Sequence, residues 1–168
     1  GVRSKKCKSI FISHQVQLRA GNFLFSHLGT RINKQLIRKF DELWIPDHEN
    51  GQALAGSLSK SLNGIPVQYI GPLSRFQPEK KPIEYDLCAI ISGPEPQRSR
   101  FQEVLIDQLS QLDENTVIVL GKLEEQRDYM LNDNTRVISY MTSESLNDLV
   151  NRSKIIIARS GYSTIMDL

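Results

Sequence analysis

The chain has 168 residues, of which 39% are hydrophobic and 24% charged, with a formal net charge of +2. That balance belongs to a globular chain and excludes the low-hydrophobicity, high-charge composition of disorder. No run of ~18 apolar residues offers a membrane span, and Cys7 and Cys88 have neither metal-site spacing nor the density of a disulfide framework, so two reduced thiols are expected.

The small net charge hides an asymmetry. Residues 1–75 hold 11 Lys/Arg against 4 Asp/Glu, a net +7, and residues 76–168 hold 10 against 15, a net −5. A basic and an acidic half suggest two units with different partners. The basic half lacks interleaved aromatics and a reading motif, so no nucleic-acid partner is expected.

Taken in order, Ser9–Ser13 is a short β-type run. Asn22–Phe40 follows with helical spacing of Phe23, Leu24, Leu28, Ile32, Leu36 and Phe40, which predicts a helix with those residues on one apolar side. Glu42–Pro46 reads as a strand closed by proline, Gly51–Leu62 as a helix broken at Asn63-Gly64, and Val67–Gly71 as a third strand. This β-α-β-α-β order implies parallel strands. Pro72–Pro82, with three prolines and an exposed Lys80-Lys81, reads as a linker, and the boundary is placed near residue 76.

The pattern then restarts. Tyr85–Ser92 is nearly all apolar, as in a strand buried on both faces. Ser99–Leu112 is an amphipathic helix, Thr116–Leu120 and Val137–Tyr140 are strands, and Thr142 or Ser143 caps a helix running through Val150 with Glu144 in its first turn. Lys154–Ala158 is the last strand, followed by a helix from Tyr162 or Ser163. The fold class is therefore α/β, with two Rossmann-like parallel-sheet halves, 1–75 and 76–168, each expected to be incomplete because the chain starts and stops inside a βα pattern.

Parallel sheets bind ligands beyond the carboxyl ends of their strands. Two loops there stand out. In Ser92-Gly93-Pro94-Glu95-Pro96-Gln97-Arg98, Gly93 permits close backbone approach, the next helix offers N–H groups to an anion, and Arg98 adds a charge; a proline-stiffened turn with a solvated arginine is the alternative. In Arg159-Ser160-Gly161-Tyr162-Ser163-Thr164, Ser160 or Ser163 is a candidate cap, Gly161 allows a tight turn, and Asp167 lies one turn on; an ordinary capped turn is the alternative. His14, after the first strand, is either a candidate catalytic base or an ordinary strand-end histidine.

Lys154-Ile-Ile-Ile-Ala-Arg-Ser-Gly-Tyr-Ser-Thr-Ile-Met-Asp167 resembles the donor-site motif of the glycosyltransferase family 28 type, matching at Ser160, Gly161 and Thr164 with Asp167 in place of Glu. The resemblance implies a two-domain glycosyltransferase B fold, with 1–75 the later part of the acceptor-side domain and 76–168 the earlier part of the donor domain. It implies that Arg159, Ser160, Gly161 and Thr164 shape the sugar and phosphate pocket, that Asp167 binds the ribose hydroxyls, that Ser92-Gly93 forms a Gly-rich loop with Arg98 beside it, and that Tyr140 and Met141 border the uracil. UDP-sugar is then substrate rather than cofactor, no metal is implied, and the acceptor is a glycan or a lipid-linked molecule. The family's glycine-rich base region would precede Gly1 and its donor-recognising segment follow Leu168, so the piece is expected to be inactive alone.

The same resemblance implies a cytoplasmic protein with peripheral contact at the inner membrane face, for which Arg31, Lys34, Arg38 and Lys39 beside Phe23, Leu24, Phe25 and Leu28 suit an anionic surface; a core-facing helix with a solvated basic side is the alternative. Two further functional classes stay open: a nucleotide-sugar hydrolase or epimerase on the same architecture, and a non-enzymatic α/β binding module.

Overall fold

A computed structural model describes residues 7–17, 23–49, 53–59, 62–123 and 127–168. The chain divides into two compact units, Gly1–Leu73 and Ser74–Leu168. The division falls just ahead of the expected one because Arg75 and Phe76 are held by the second unit.

In the first unit, β1 (Ile10–Ile12), β2 (Glu42–Ile45) and β3 (Val67–Tyr69) form a parallel sheet in sequence order. Trp44 pairs with Ile12 on one side and Gln68 on the other. Val16, Ile37, Leu43, Ile45 and Leu62 make the core. Helix α1 (Phe23–Ile37) connects β1 to β2, but not with the expected side inward. Leu28, Ile32 and Leu36 are 58%, 50% and 51% exposed, whereas Ile37 is fully buried. The cause is Asn33, whose Nδ2 donates to the carbonyls of Gln15 and Val16, both at 3.1 Å. Those loop carbonyls need donors, and a helix that turns Asn33 and Ile37 inward turns the leucine stripe out. The side chains of Phe23, Leu24 and Phe25 lie outside the described residues.

The helix expected over Gly51–Leu62 is also corrected within the described residues, where only a 3-10 turn forms, Gly56–Ser59. The fully buried Asp47 accepts from the N–H groups of His48, Leu54 and Ala55 at 2.8, 2.7 and 3.0 Å. A carboxylate that gathers three local N–H groups sets up a turn, because those donors then need no helical carbonyl.

The second unit is a five-stranded sheet flanked by helices. Its strands are β4 (Tyr85–Ile90), β5 (Thr116–Val119), β6 (Asp128–Met130), β7 (Thr135–Ile138) and β8 (Ser153–Ala158), in the order β6-β7-β5-β4-β8. All neighbours are parallel except β6 and β7, which are antiparallel. Alternate residues of β4 face opposite layers: Leu87 and Ala89 pack with Leu105 and Leu109 of α2 (Gln97–Leu109), and Cys88 packs with Leu149 of α3 (Ser143–Asn151). This is a Rossmann-like α/β arrangement. Thr142 caps α3 by accepting from the Ser145 N–H, and the unit's described part closes with α4 (Tyr162–Asp167).

The proline-containing stretch is a strap rather than a free linker. The Gln77 and Glu79 N–H groups donate to the side-chain carbonyls of Asn147 and Asn151, and Asn151 Nδ2 returns a bond to the Gln77 carbonyl at 2.9 Å. Pro78 and Pro82 have no N–H, so the alternating residues supply the donors, and two asparagines one helical turn apart receive them. Lys81, expected exposed, pairs with Glu79 and Asp148. Replacing Asn151 with Ala is expected to lower the unfolding free energy by about 1–2 kcal/mol, the range for lost hydrogen bonds that leave partners partly unsatisfied. Lys80→Ala at an exposed position should stay within ~0.5 kcal/mol. Urea denaturation monitored by circular dichroism compares the two.

Candidate functional site

The carboxyl ends of β4, β5, β7 and β8 all open on one end of the second unit's sheet. Beyond them lies a cavity of about 230 Å³ lined by Ile91, Ser92, Gly121, Tyr140, Met141, Leu146, Ser163, Thr164 and Asp167, together with Arg75 and Phe76. Its lining combines apolar side chains with hydroxyls, one carboxylate and one guanidinium. Gly121 shapes the lining: with φ +66°, an added Cβ would lie 2.7 Å from the Ile91 carbonyl oxygen, so no side chain fits there.

Beside it, sharing Ser92, is a cleft of about 370 Å³ lined by Ser92, Gly93, Pro94, Arg159, Ser160 and Gly161. These are the loops after β4 and β8. The chain leaves β4 towards β5 and β7 and returns on the other side of β4 as β8, so the cleft lies where the strand order reverses, the place where open α/β sheets take ligands. Ser92, Tyr140, Met141, Thr164 and Asp167 thus gather at the first cavity and Gly93, Arg159, Ser160 and Gly161 at its neighbour. His14 belongs to the first unit.

Several roles expected of these residues change. Gly93 has φ +106°, and an added Cβ would lie 2.0 Å from Arg159 Nη1. That guanidinium donates to the Ser92 carbonyl at 3.1 Å. The bare Gly93 backbone is therefore approached by the chain's own arginine, which ties the two loops together. The start of α2 is not an open anion site, because Glu95 Oε2 accepts from the Ser99 N–H at 3.2 Å and its Oε1 pairs with Arg98 at 2.7 Å. The glutamate is the anion at that helix end; Ser99 and then Arg98 hold its carboxyl below the usual range. Neither Ser160 nor Ser163 caps α4; Gly161 occupies the cap position and brings no side-chain acceptor.

Asp167 is already engaged. Its side chain is 3% exposed, with Oδ1 accepting from the Arg75 N–H at 2.8 Å and Oδ2 accepting from Arg75 Nε at 3.0 Å and from Nη2. The carboxylate raises the Arg75 pKa above the usual guanidinium value. Arg75 and Phe76 were not among the expected site residues, because Pro-rich sequence gives no periodicity to place them. The one signal was an Arg-Phe pair, a charge beside an aromatic, in an otherwise small and polar stretch.

In the first unit, burial lowers the His14 pKa, partly opposed by the negative charge of Asp47. The imidazole is neutral at pH 7, the form that accepts a proton. A wider groove of about 670 Å³ also borders Tyr140 and Met141, and both of its arginines are already paired: Arg136 binds Asp128 and the Tyr85 hydroxyl, and Arg152 binds Glu84 and Asp148. Among the described residues no three His, Cys, Asp or Glu side chains come together as a metal site. No protein-family model, curated protein or solved structure matches the chain.

The Gly93 contact is testable. Gly93→Ala is expected to cost about 1–3 kcal/mol in unfolding free energy, from the strained backbone and the displaced guanidinium. In an Arg159→Ala background the same change should cost less but still destabilise, since the positive φ remains. A double-mutant cycle by chemical denaturation measures the difference.

Proposed function

We propose that the second unit binds the nucleotide of an activated sugar, and that the chain serves a glycosyltransferase of the two-domain B type that moves a sugar from UDP-sugar to a glycan or lipid-linked acceptor. The observation that carries this reading is the convergence of four strand ends on adjoining cavities, one lined in part by apolar groups and one edged by backbone turns and a guanidinium. A planar base suits the space beside Tyr140 and Met141, and the Thr164 and Asp167 lining suits a sugar's hydroxyls. The exposed Ser160-Gly161 turn with Arg159 suits a diphosphate. Charge develops on the leaving diphosphate in such a transfer, and fixed donors at that position stabilise it without reorganisation.

Calorimetric titration with UDP tests the proposal. Saturable one-to-one binding is expected, weakened about tenfold, or ~1.4 kcal/mol, by Thr164→Ala. Absence of UDP binding by the unaltered protein would sink it. Labelled UDP-sugar then separates transfer from hydrolysis, because transfer requires an added acceptor.

Helix α1 supports the membrane side of the proposal. Its outward stripe of Leu28, Ile32 and Leu36 runs beside Arg31, Arg38 and Lys39, and residues 23–40 contain no acidic side chain. An apolar stripe flanked by cations complements an anionic lipid surface. The protein should sediment with phosphatidylglycerol-containing vesicles, and much less with pure phosphatidylcholine. Changing Leu28, Ile32 and Leu36 together to Gln should reduce the bound fraction several-fold; equal binding by the altered protein would remove α1 from the interaction.

A further inference from the structure

Arg75 binds the one carboxylate that lines the 230 Å³ cavity through two kinds of bond. The first is the backbone N–H to Oδ1, fixed because the flanking residues are pinned: the Phe76 N–H donates to Ser74 Oγ at 2.9 Å and the Gln77 N–H donates to Asn147 at 3.0 Å. The second is the guanidinium to Oδ2. That side chain is 59% exposed and rests 5.6 Å over the Phe76 ring, so displacing it would not require the backbone to move.

A carboxylate has about four acceptor positions, and three of them are filled here. A vicinal diol brings two O–H donors and needs two positions, so it can bind Asp167 in full only if the guanidinium moves off Oδ2. Displacing the guanidinium with a neutral diol alone would leave a buried carboxylate without its counter-ion, which is costly. A ligand that carries a phosphate as well as a diol removes the difficulty, because the phosphate gives the displaced guanidinium a new anionic partner in fork geometry.

We propose that Arg75 is a specificity-determining residue: its pairing with Asp167 makes the cavity reject neutral nucleosides and accept nucleotides, the phosphate drawing the guanidinium away as the ribose diol takes its place. The inference rests on the nucleotide reading above and adds to it a partner exchange between two side chains of this chain.

The test compares uridine and UDP in calorimetric competition, on the unaltered protein and on Arg75→Gln. The unaltered protein should bind UDP at least ~100-fold more tightly than uridine. In Arg75→Gln that ratio should shrink about tenfold or more, with UDP weakened and uridine unchanged or tightened. An unchanged ratio, or equal weakening of both ligands, overturns the proposal and leaves Arg75 a purely structural residue. If the unaltered protein binds neither ligand, the nucleotide reading itself falls, and this inference with it. Should Arg75→Gln fail to fold, 15N spectra of the unaltered protein decide: the Arg75 Nε–H resonance should move on adding UDP and stay on adding uridine. No movement with UDP at saturation rejects the exchange.

Discussion

Strand β4 is paired on both sides, Cys88 lying opposite Val117 of β5 and Ile156 of β8, and everything else in the second unit is arranged around that double pairing. A central parallel strand must be left in one direction and regained from the other, which brings the loops after β4 and β8 together. The helices packed on the sheet remove β4 from water on both faces: Cys88 and Ala89 are fully buried, and burial pushes the Cys88 thiol up to about 11. The order of the sheet, set by apolar pairing, thereby fixes where a cleft opens before any polar residue is considered.

At that end of the sheet the charged groups are already partnered within the chain. Glu95 sits at the start of α2, Arg159 on the Ser92 carbonyl and Arg75 on Asp167. Such a site cannot be read as a set of open charges awaiting a ligand. A ligand bound there would have to exchange, each of its groups replacing an internal partner of comparable strength, and the affinity would be what remains after that replacement. An exposed partner such as the Arg75 side chain is cheaper to exchange than one held at both ends. In the proposed exchange the backbone N–H from Arg75 would keep the carboxylate oriented.

Much of the strand framework was legible because apolar runs record burial directly. Tyr85–Ile90 and Thr116–Val119 lie inside runs that sequence alone marks as strands, Ser153–Ala158 starts one residue ahead of its expected run, and Thr142, one of two candidate caps, caps α3. Strand β6 was not legible: its residues are all exposed, and pairing with β7 and the Arg136–Asp128 ion pair hold it without any apolar pattern. The face of α1 misled for the opposite reason. Leu28, Ile32 and Leu36 have the spacing of a core stripe, yet one amide, Asn33, decides the rotation by answering two carbonyls 17 and 18 residues away. Hydrogen bonds between distant segments leave no local period, and for the same reason the strap formed with Asn147 and Asn151, and the place of Arg75 at the cavity, could not be seen in advance.

The glycines with positive φ at the ends of β4 and β5 serve the protein's own packing. A glycine after a parallel strand is commonly taken to leave room for a phosphate, yet at Gly93 the space is taken by the Arg159 guanidinium and at Gly121 by the Ile91 carbonyl oxygen. Each glycine is required by the protein's own packing, so neither would distinguish a binding protein from a scaffold. The sharper criterion is convergence. Packing alone accounts for any one of these loops, but it gives no reason for Ser92, Gly121, Tyr140 and Thr164, from four different strand ends, to leave a cavity with a carboxylate held on its wall. A buried carboxylate is costly to a fold unless it is paired, and an apolar residue at 167 would avoid that cost altogether. Keeping both the charge and its counter-ion beside an open space is intelligible where the charge has a second partner to meet.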